Sequence, residues 1–432
     1  MRNNQGKRVR KHGMVLDAIW DFLQFVCCLA ANCGPAAGRM WTREKKNRVR
    51  TALFFFFFAY MVLIYNQGLY HGRNCFRYHG LVFFAVLCGI TWVSREKKLT
   101  CCRWRSAVAR CYLCFWLFAC VSDFVVSKRF KFVGYVMLLA MVSVFLAWRQ
   151  MEQKEDLVRS FCRALELFAA AGVLYNILWN TRAAELPYRG YMKNAEEFGI
   201  FSAFLVLVFL AELYDCWKNE RFGGAFLFYL CGASCSLLQA ALSGKWFAML
   251  YAGGIGLLAF AGAVKGYAKL SVSAKKRAAV CAAAAVLAAG LYFAAVRDAS
   301  WDLHTVFTGE NWGRRLQVAK ANLKELNLFG HKQPNLKIGQ KRRSPQNNIL
   351  QIGYRYGLPA MLSYIALFGA ALKKAVYTLA HTRKNWKSTD LLAAGVFVFW
   401  WTVGFFANIE YPYYQPAWFF AYLMLGRYLA CD

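Results

Sequence analysis

HKQPNLKIGQKRRSPQNNILQIGYRYGLPA, residues 331–360, changes character at its middle. The first half is basic, polar and rich in turn formers. The second half enters a long apolar segment. Lys332, Lys337, Lys341, Arg342 and Arg343 therefore crowd the edge of an apolar run, and their meaning depends on what that run is.

Apolar runs of similar kind recur along almost the whole chain. Of its 432 residues, 59% are hydrophobic and 17% aromatic. Runs of about 20 apolar residues suit helices crossing a hydrocarbon core of roughly 30 Å. Candidate spans start near Thr51, Gly80, Ala107, Phe132, Phe161, Phe198, Phe222, Trp246, Ala278, Asn347, Leu391 and Pro416. The fold class expected is all-α, a polytopic membrane protein of about twelve transmembrane helices. The earlier run MVLDAIWDFLQFVCCLAA carries Asp17 and Asp21 on one helical face, which predicts an interfacial helix and not a span. MRNNQGKRVRKHG at the start is basic, but no small-residue cleavage site follows a clean apolar run, so no cleavable signal peptide is expected.

Orientation follows from the cations. RMWTREKKNRVR (39–50), REKKLTCCRWR (95–105), KGYAKLSVSAKKR (265–277) and KKAVYTLAHTRKNWK (373–387) are strongly basic and alternate consistently if they share the cytoplasmic side. Both termini are then inside, in the plasma (inner) membrane. Four segments are expected: a basic cytoplasmic segment with an interfacial helix over 1–49, spans one to nine over 50–295, an extracytoplasmic loop over 296–346, and spans ten to twelve over 347–432.

The net charge of +32 falls in short clusters between apolar runs, which argues against nucleic acid as a partner and for loops touching anionic lipid. The 16 cysteines lie mostly in apolar runs and lack a C-x-x-C pair of pairs, so they read as small packing residues and not as a zinc site. The alanine-rich stretch 278–290 suits close helix packing, and FFFFF at 54–58 is bulk.

Only one outer connector is large. From Arg297 to Asn348 it carries ten Lys and Arg against four Asp and Glu, a net of +6 where cations are normally scarce. Such a departure points to an anionic ligand, with headgroup contact by a solvated loop as the plain alternative. Leu316, Ala319, Leu323 and Leu326 recur at helical spacing behind Arg314 and Arg315, predicting an amphipathic helix on the membrane surface.

Several of these segments together resemble one family, the O-antigen ligases and O-antigen polymerases of bacterial envelopes. GRRLQVAKANLKELNLFGHK (313–332) is similar to the family's Gly-Arg, amphipathic helix and apolar-Phe-Gly turn. PQNNILQIGYRYGLPAM (345–361) resembles its His-Asn-x-x-x-Leu to Tyr-Gly-Leu segment, with Gln346 at the histidine and Asn347 at the asparagine. YRGYMKNAEEFGIFSAF (188–204) resembles its Arg/Gly loop, and LSGKWFAML (242–250) its Ser-Arg, with Lys245 for the arginine. The usual tryptophan after the arginine is absent, and glutamine cannot take a proton at neutral pH.

The resemblance implies a C-type glycosyltransferase-like fold with its large loop before the tenth span. It implies transfer of a glycan from an undecaprenyl-pyrophosphate-linked oligosaccharide to a sugar or lipid-glycan acceptor, without a cofactor and alongside other polysaccharide assembly proteins. A polymerase is preferred; a ligase or a flippase is the alternative. Arg315 or Arg314, with Arg189 and Lys245, would cradle the pyrophosphate, since arginine binds phosphate bidentately and lysine supplies a point charge. Gln346 and Asn347 would meet sugar. His331 or Glu410 would replace the missing histidine in acid–base work, Glu410 by its place at a membrane edge. No Gly-rich nucleotide loop, Asp-x-Asp pair or metal-ligand spacing is present, in keeping with metal-independent transfer.

The orientation is open to direct test with fused reporters. Alkaline phosphatase joined after Lys332 is expected to be active and joined after Lys276 inactive, with green fluorescence showing the reverse; equal signals at both points would overturn the topology.

Overall fold

A computed structural model of the chain describes residues 41–65, 75–96, 106–127, 144, 148–151, 153–178, 187–192, 194–267, 270–296, 312–332, 335–338, 341–382, 386–407 and 415–429. The expected interfacial helix near residues 14–31 and most of the span from Phe132 lie outside these residues. So does Glu410.

The described chain runs α1 (Arg43–Tyr65), α2 (Cys75–Val93), α3 (Ala107–Ser127), α4 (Glu155–Leu178), α5 (Ala195–Lys218), α6 (Gly224–Leu242), α7 (Trp246–Tyr267) and α8 (Val272–Val296). Then come α9 (Trp312–Lys324), β1 (Leu336–Ile338), β2 (Lys341–Arg343), α10 (Asn348–Tyr356), α11 (Leu358–His381), α12 (Ser388–Gly404) and α13 (Pro416–Leu429). Among the described residues, seven helices (α3 to α8 and α11) are long and apolar enough to cross a membrane, and α12 is a shorter apolar helix. The protein is a helical membrane protein with several spans.

Local sequence sets the helix ends. Asn194 caps α5 by accepting from the Glu197 N–H at 2.8 Å, Glu196 and Glu197 stand in the first turn, and Lys218 in the last, each complementing the helix dipole. At 24 residues α5 is about 36 Å long, enough to span hydrocarbon. It is also the most enclosed span.

In lipid an apolar side chain gains little by leaving solvent, so interlocking shape and polar ties must hold the helices together. Phe54, Phe57 and Phe58 are fully buried, while Phe56 faces out. Phe54 meets Phe161 of α4 edge-on at 5.2 Å, and Phe161 stacks on Phe419 of α13 at 6.1 Å. Phe368 of α11 lies flat on Trp400 of α12 at 3.9 Å. Trp148 donates its indole N–H to Leu423 O at 2.9 Å. The alanine-rich α8 buries Ala274, Ala278, Cys281 and Ala285 along one face and leaves Val280, Val286 and Leu287 exposed.

The two ends of the bundle differ. At one, four ion pairs join separate elements: Arg43 to Asp156 through two bonds of 2.7 Å, Lys46 to Glu96 at 3.2 Å, Lys387 to Glu155 at 2.6 Å, and Arg427 to Asp390. Here α1, α4 and α12 begin and α13 ends. At the other end the connectors are held by backbone bonds, among them Tyr188 N–H to Leu242 O and Leu358 N–H to Asn327 O, both 2.9 Å.

Two features differ from the sequence expectations. The large loop is not wholly irregular or helical: it contains an antiparallel hairpin pairing Leu336 with Arg343, Lys337 with Arg342 and Ile338 with Lys341. The apolar stripe of α9 keeps Leu316 and Leu323 exposed, in keeping with the expected amphipathic helix, and the opposite face seats on the bundle through Val318, buried, and Asn322, fully buried. The expected span at Asn347 is interrupted; α10 stops at Tyr356 and the long helix begins at Leu358.

The interruption has a steric cause. Gly357 has φ +86° and ψ 169°, a region open essentially to glycine alone, and an added Cβ would stand 2.1 Å from Leu328 O. Gly330, at φ +72°, faces it: its Cβ would stand 2.3 Å from Arg355 O. The Phe329–Gly330 turn is thus pressed against the break, and Ser122 of α3 donates to Phe329 O. Gly357→Ala should cost at least about 2 kcal/mol. Gly256→Ala, with open space around its site, should gain up to about 1 kcal/mol. Thermal unfolding in detergent checks both; an unchanged Gly357→Ala protein would refute the role given to the break.

Candidate functional site

The candidate site gathers around the end of α12. Past Gly404 the chain turns, and the Phe406 N–H returns to Val403 O at 2.9 Å. Phe406 O is then offered outward and accepts from Arg315 Nη1 at 3.3 Å. Arg315 projects from the seated side of α9, and its guanidinium also lies 5.9 Å from the Phe247 ring centre. The Phe406 ring packs edge-on to Trp246 at 4.4 Å and stacks on Phe247 at 5.9 Å. Arg315 is therefore held at the junction of α9, α7 and α12.

Lys245 adjoins that junction because it immediately precedes Trp246. Its carbonyl accepts the Met249 N–H at 3.0 Å, closing the first turn of α7, and its own N–H donates to Ser243 Oγ at 3.4 Å. Gly199 of α5 permits this approach: an added Cβ there would stand 2.3 Å from Ser243 Oγ and 3.4 Å from Lys245 Cβ. Arg189 arrives through its neighbour. The Tyr188 N–H bonds to Leu242 O at 2.9 Å, so the loop lies on the end of α6, three residues before Lys245. The Met192 N–H closes the loop onto Arg189 O at 3.0 Å, and Tyr188 and Tyr191 flank Phe198 edge-on at 5.3 and 5.5 Å.

Gln346 and Asn347 enter from α10. Asn347 caps that helix, its side chain accepting from the Leu350 N–H at 2.9 Å. Asn348 is fully buried and donates Nδ2 to the Tyr364 hydroxyl at 3.0 Å, while its Oδ1 has no partner among the described residues. A Cβ built on Gly404 would stand 3.9 Å from Asn348 Cβ, which ties this segment to the end of α12. Gln346 has φ +48°, in the left-handed region that long side chains avoid. Among the described residues only Glu220 shares that feature outside glycine.

Four positions singled out from sequence, Arg315, Lys245, Arg189 and the Gln346–Asn347 pair, thus come from distant stretches to one end of the bundle. Arg314 lies on α9, but its side chain is outside the described residues, as is Glu410 entirely. His331 is placed elsewhere. Its loop does fold back, but onto the far end of α10, about 13 Å along the helix from Gln346. There the ring stacks on Tyr354 at 4.1 Å, Nδ1 meets Tyr354 O at 2.9 Å, and Nε2 meets Asn327 Nδ2 at 3.3 Å. With a proton on Nδ1 both contacts are satisfied, and the histidine clasps the turn.

Sequence reasoning missed Trp246, Phe247, Phe406 and Asn322. The aromatics carry no signal in a chain with 37 phenylalanines and 15 tryptophans. Asn322 is legible only as a polar residue on the face that turns out to be seated. It donates Nδ2 to Val318 O at 2.8 Å, and its Oδ1 is buried without a partner. Among the described residues no group of three or more His, Cys, Asp or Glu side chains is arranged to hold a metal ion. No protein-family model matches the chain, and no curated protein matches it.

Two variants test the local geometry. Gln346→Gly relieves the left-handed backbone and should raise stability by up to about 1 kcal/mol. Asn347→Ala removes a cap and should lower it by about 1 kcal/mol. Shifts of opposite sign in thermal unfolding are expected; a fall in both would place the strain elsewhere.

Proposed function

We propose that this protein is a membrane-embedded glycosyltransferase of the O-antigen ligase and polymerase kind. It moves a glycan from an undecaprenyl-pyrophosphate-linked oligosaccharide to a sugar hydroxyl, with polymerisation of a surface polysaccharide as the main reading and ligation to a lipid acceptor as its variant. The observation that supports this is that the elements bearing Arg189, Lys245, Arg315 and the Gln346–Asn347 segment lie at one end of the bundle. They share no stretch of sequence, so no single-loop charge bias explains their placement.

The chemistry follows from that arrangement. As the glycosidic bond breaks, negative charge grows on the departing pyrophosphate. A guanidinium already held by Phe406 O and the Phe247 ring needs little reorganisation to stabilise it, and losing one such group costs about 10²–10³ in rate. Lysine at the start of α7 adds a point charge beside the helix N-terminus, itself favourable to an anion. Gln346 accepts or donates hydrogen bonds without titrating, so its part is to orient an acceptor hydroxyl, not to remove its proton. Leu316 and Leu323 face outward on α9, which supports a lipid-proximal helix carrying Arg315 at headgroup height. On this reading the chain crosses the plasma membrane about twelve times with both ends in the cytoplasm and this site outside.

The broken helix at Gly357 favours a second reading, translocation of the lipid-linked oligosaccharide, since interrupted helices mark transport sites. One assay separates them. In proteoliposomes with native undecaprenyl-pyrophosphate oligosaccharide, chain growth without added acceptor is expected, slowed about 10²-fold in Arg315→Ala. Transfer only with a lipid acceptor makes the protein a ligase. No transfer by the wild type, with donor moving between leaflets, would refute the transferase reading.

A further inference from the structure

Loops usually run over a protein's surface, yet the stretch 188–192 is sunk into the bundle. Tyr188, Gly190, Tyr191 and Met192 are all buried, and Arg189 among them is half-buried. Two glycines make room for this. A Cβ on Gly172 of α4 would stand 2.3 Å from the Tyr191 ring. One on Gly190, at φ +50°, would stand 2.4 Å from the Phe198 ring. Four buried residues thus frame one arginine.

A chain of polar side chains leads to this loop, each buried and each from a different element. Ser202 of α5 donates Oγ–H to Gln239 Oε1 at 3.4 Å. Gln239 of α6 donates Nε2–H to the Tyr292 hydroxyl at 2.9 Å. The Tyr292 hydroxyl of α8 lies 3.2 Å from that of Tyr188. Gln239 Nε2 can only donate, so the Tyr292 oxygen accepts there and its own proton is available to Tyr188. Gln239 and Tyr292 lie about one turn from the ends of α6 and α8. Apolar side chains would pack these helices without the cost of hiding amides and hydroxyls. A hydrogen-bonded chain adds what packing alone does not: it specifies one arrangement for the ring at its end. That ring is Tyr188, whose N–H is bound to Leu242 O at 2.9 Å, so backbone and side chain are both held. Arg189 is the next residue.

We infer that Tyr292 is a positioning residue for Arg189. Through the Tyr188 hydroxyl it fixes where the arginine stands before a lipid pyrophosphate, the ligand of the transferase reading on which this rests. Gln239 acts through Tyr292, and Ser202 through Gln239. None of the three touches the ligand. Their part is to keep one cation of the cradle from rearranging, so that its attraction for an anion is not spent on ordering a loop.

The test is binding of glycan-free undecaprenyl pyrophosphate to the full chain in nanodiscs, with melting measured alongside. Arg189→Ala should weaken binding about tenfold, the loss of one charge-assisted contact. Tyr292→Phe, which keeps the ring, should weaken it by a similar factor. The double variant should bind no more weakly than Arg189→Ala alone. Gln239→Met cuts the chain one link earlier and should act the same way where Tyr292→Phe does not fold. Tyr251→Phe is the matched control: it removes a buried hydroxyl bonded to Gly395 O at 2.8 Å, and should lower melting while leaving binding unchanged. Additive losses in the double variant overturn the positioning role, as does unchanged binding in Tyr292→Phe with lowered melting. Full binding by Arg189→Ala, or none by the wild type, overturns it too, since the arginine then meets no such anion. Binding with the expected coupling but no glycan transfer upholds Tyr292 and removes the transferase reading instead.

Discussion

A helix can break inside a bundle only if something else satisfies the backbone it frees. At Gly357 the freed backbone is met by the Phe329–Gly330 turn: Leu358 donates to Asn327 O, His331 N–H to Arg355 O, and two glycines allow the strands of chain to touch. This one contact fixes where the loop after α9 meets the spans. α9 precedes the turn by only a few residues, so its position on the bundle follows, and with it the height of Arg315. α10 follows from the other side of the break and brings Gln346 and Asn348 to the end of α12.

The bundle is built differently at its two ends. One end is stitched by ion pairs between helix termini, and there the charges are largely matched. The other is joined by carbonyls, aromatic edges and buried amides. Ion pairs between neighbouring termini hold helices in register.

Much of this was legible in the sequence. Apolar runs located six of the seven described helices that are long and apolar enough to cross a membrane, each start within about six residues, because hydrocarbon leaves the backbone little choice but helix. Arg315, Lys245, Arg189 and Gln346 were singled out only through a family resemblance that their order and spacing suggest. What sequence could not supply was the third dimension. The hairpin at 336–343 lies in a basic stretch whose alternation is too short to read. Leu316 and Leu323 gave the right period for α9, but not that its other face would seat on the bundle through Val318 and Asn322. His331 lay close to Gln346 along the chain, but a short helix intervenes and carries the two to opposite ends. Asn348 and Asn322 were hidden because burial of an amide has no sequence signature.

The seated face of α9 has a further consequence. Leu316 and Leu323 are exposed while Arg315, on the same helix, is bonded to Phe406 O just past α12. The helix therefore has two references for its height: the surface of the bilayer and the end of α12. A membrane whose hydrocarbon thickness matches the spans lets both be met at once. In a thinner or thicker one they pull apart, and the strain is delivered to the bond that holds the arginine. If the site works as proposed, hydrophobic mismatch falls on the bond that holds Arg315.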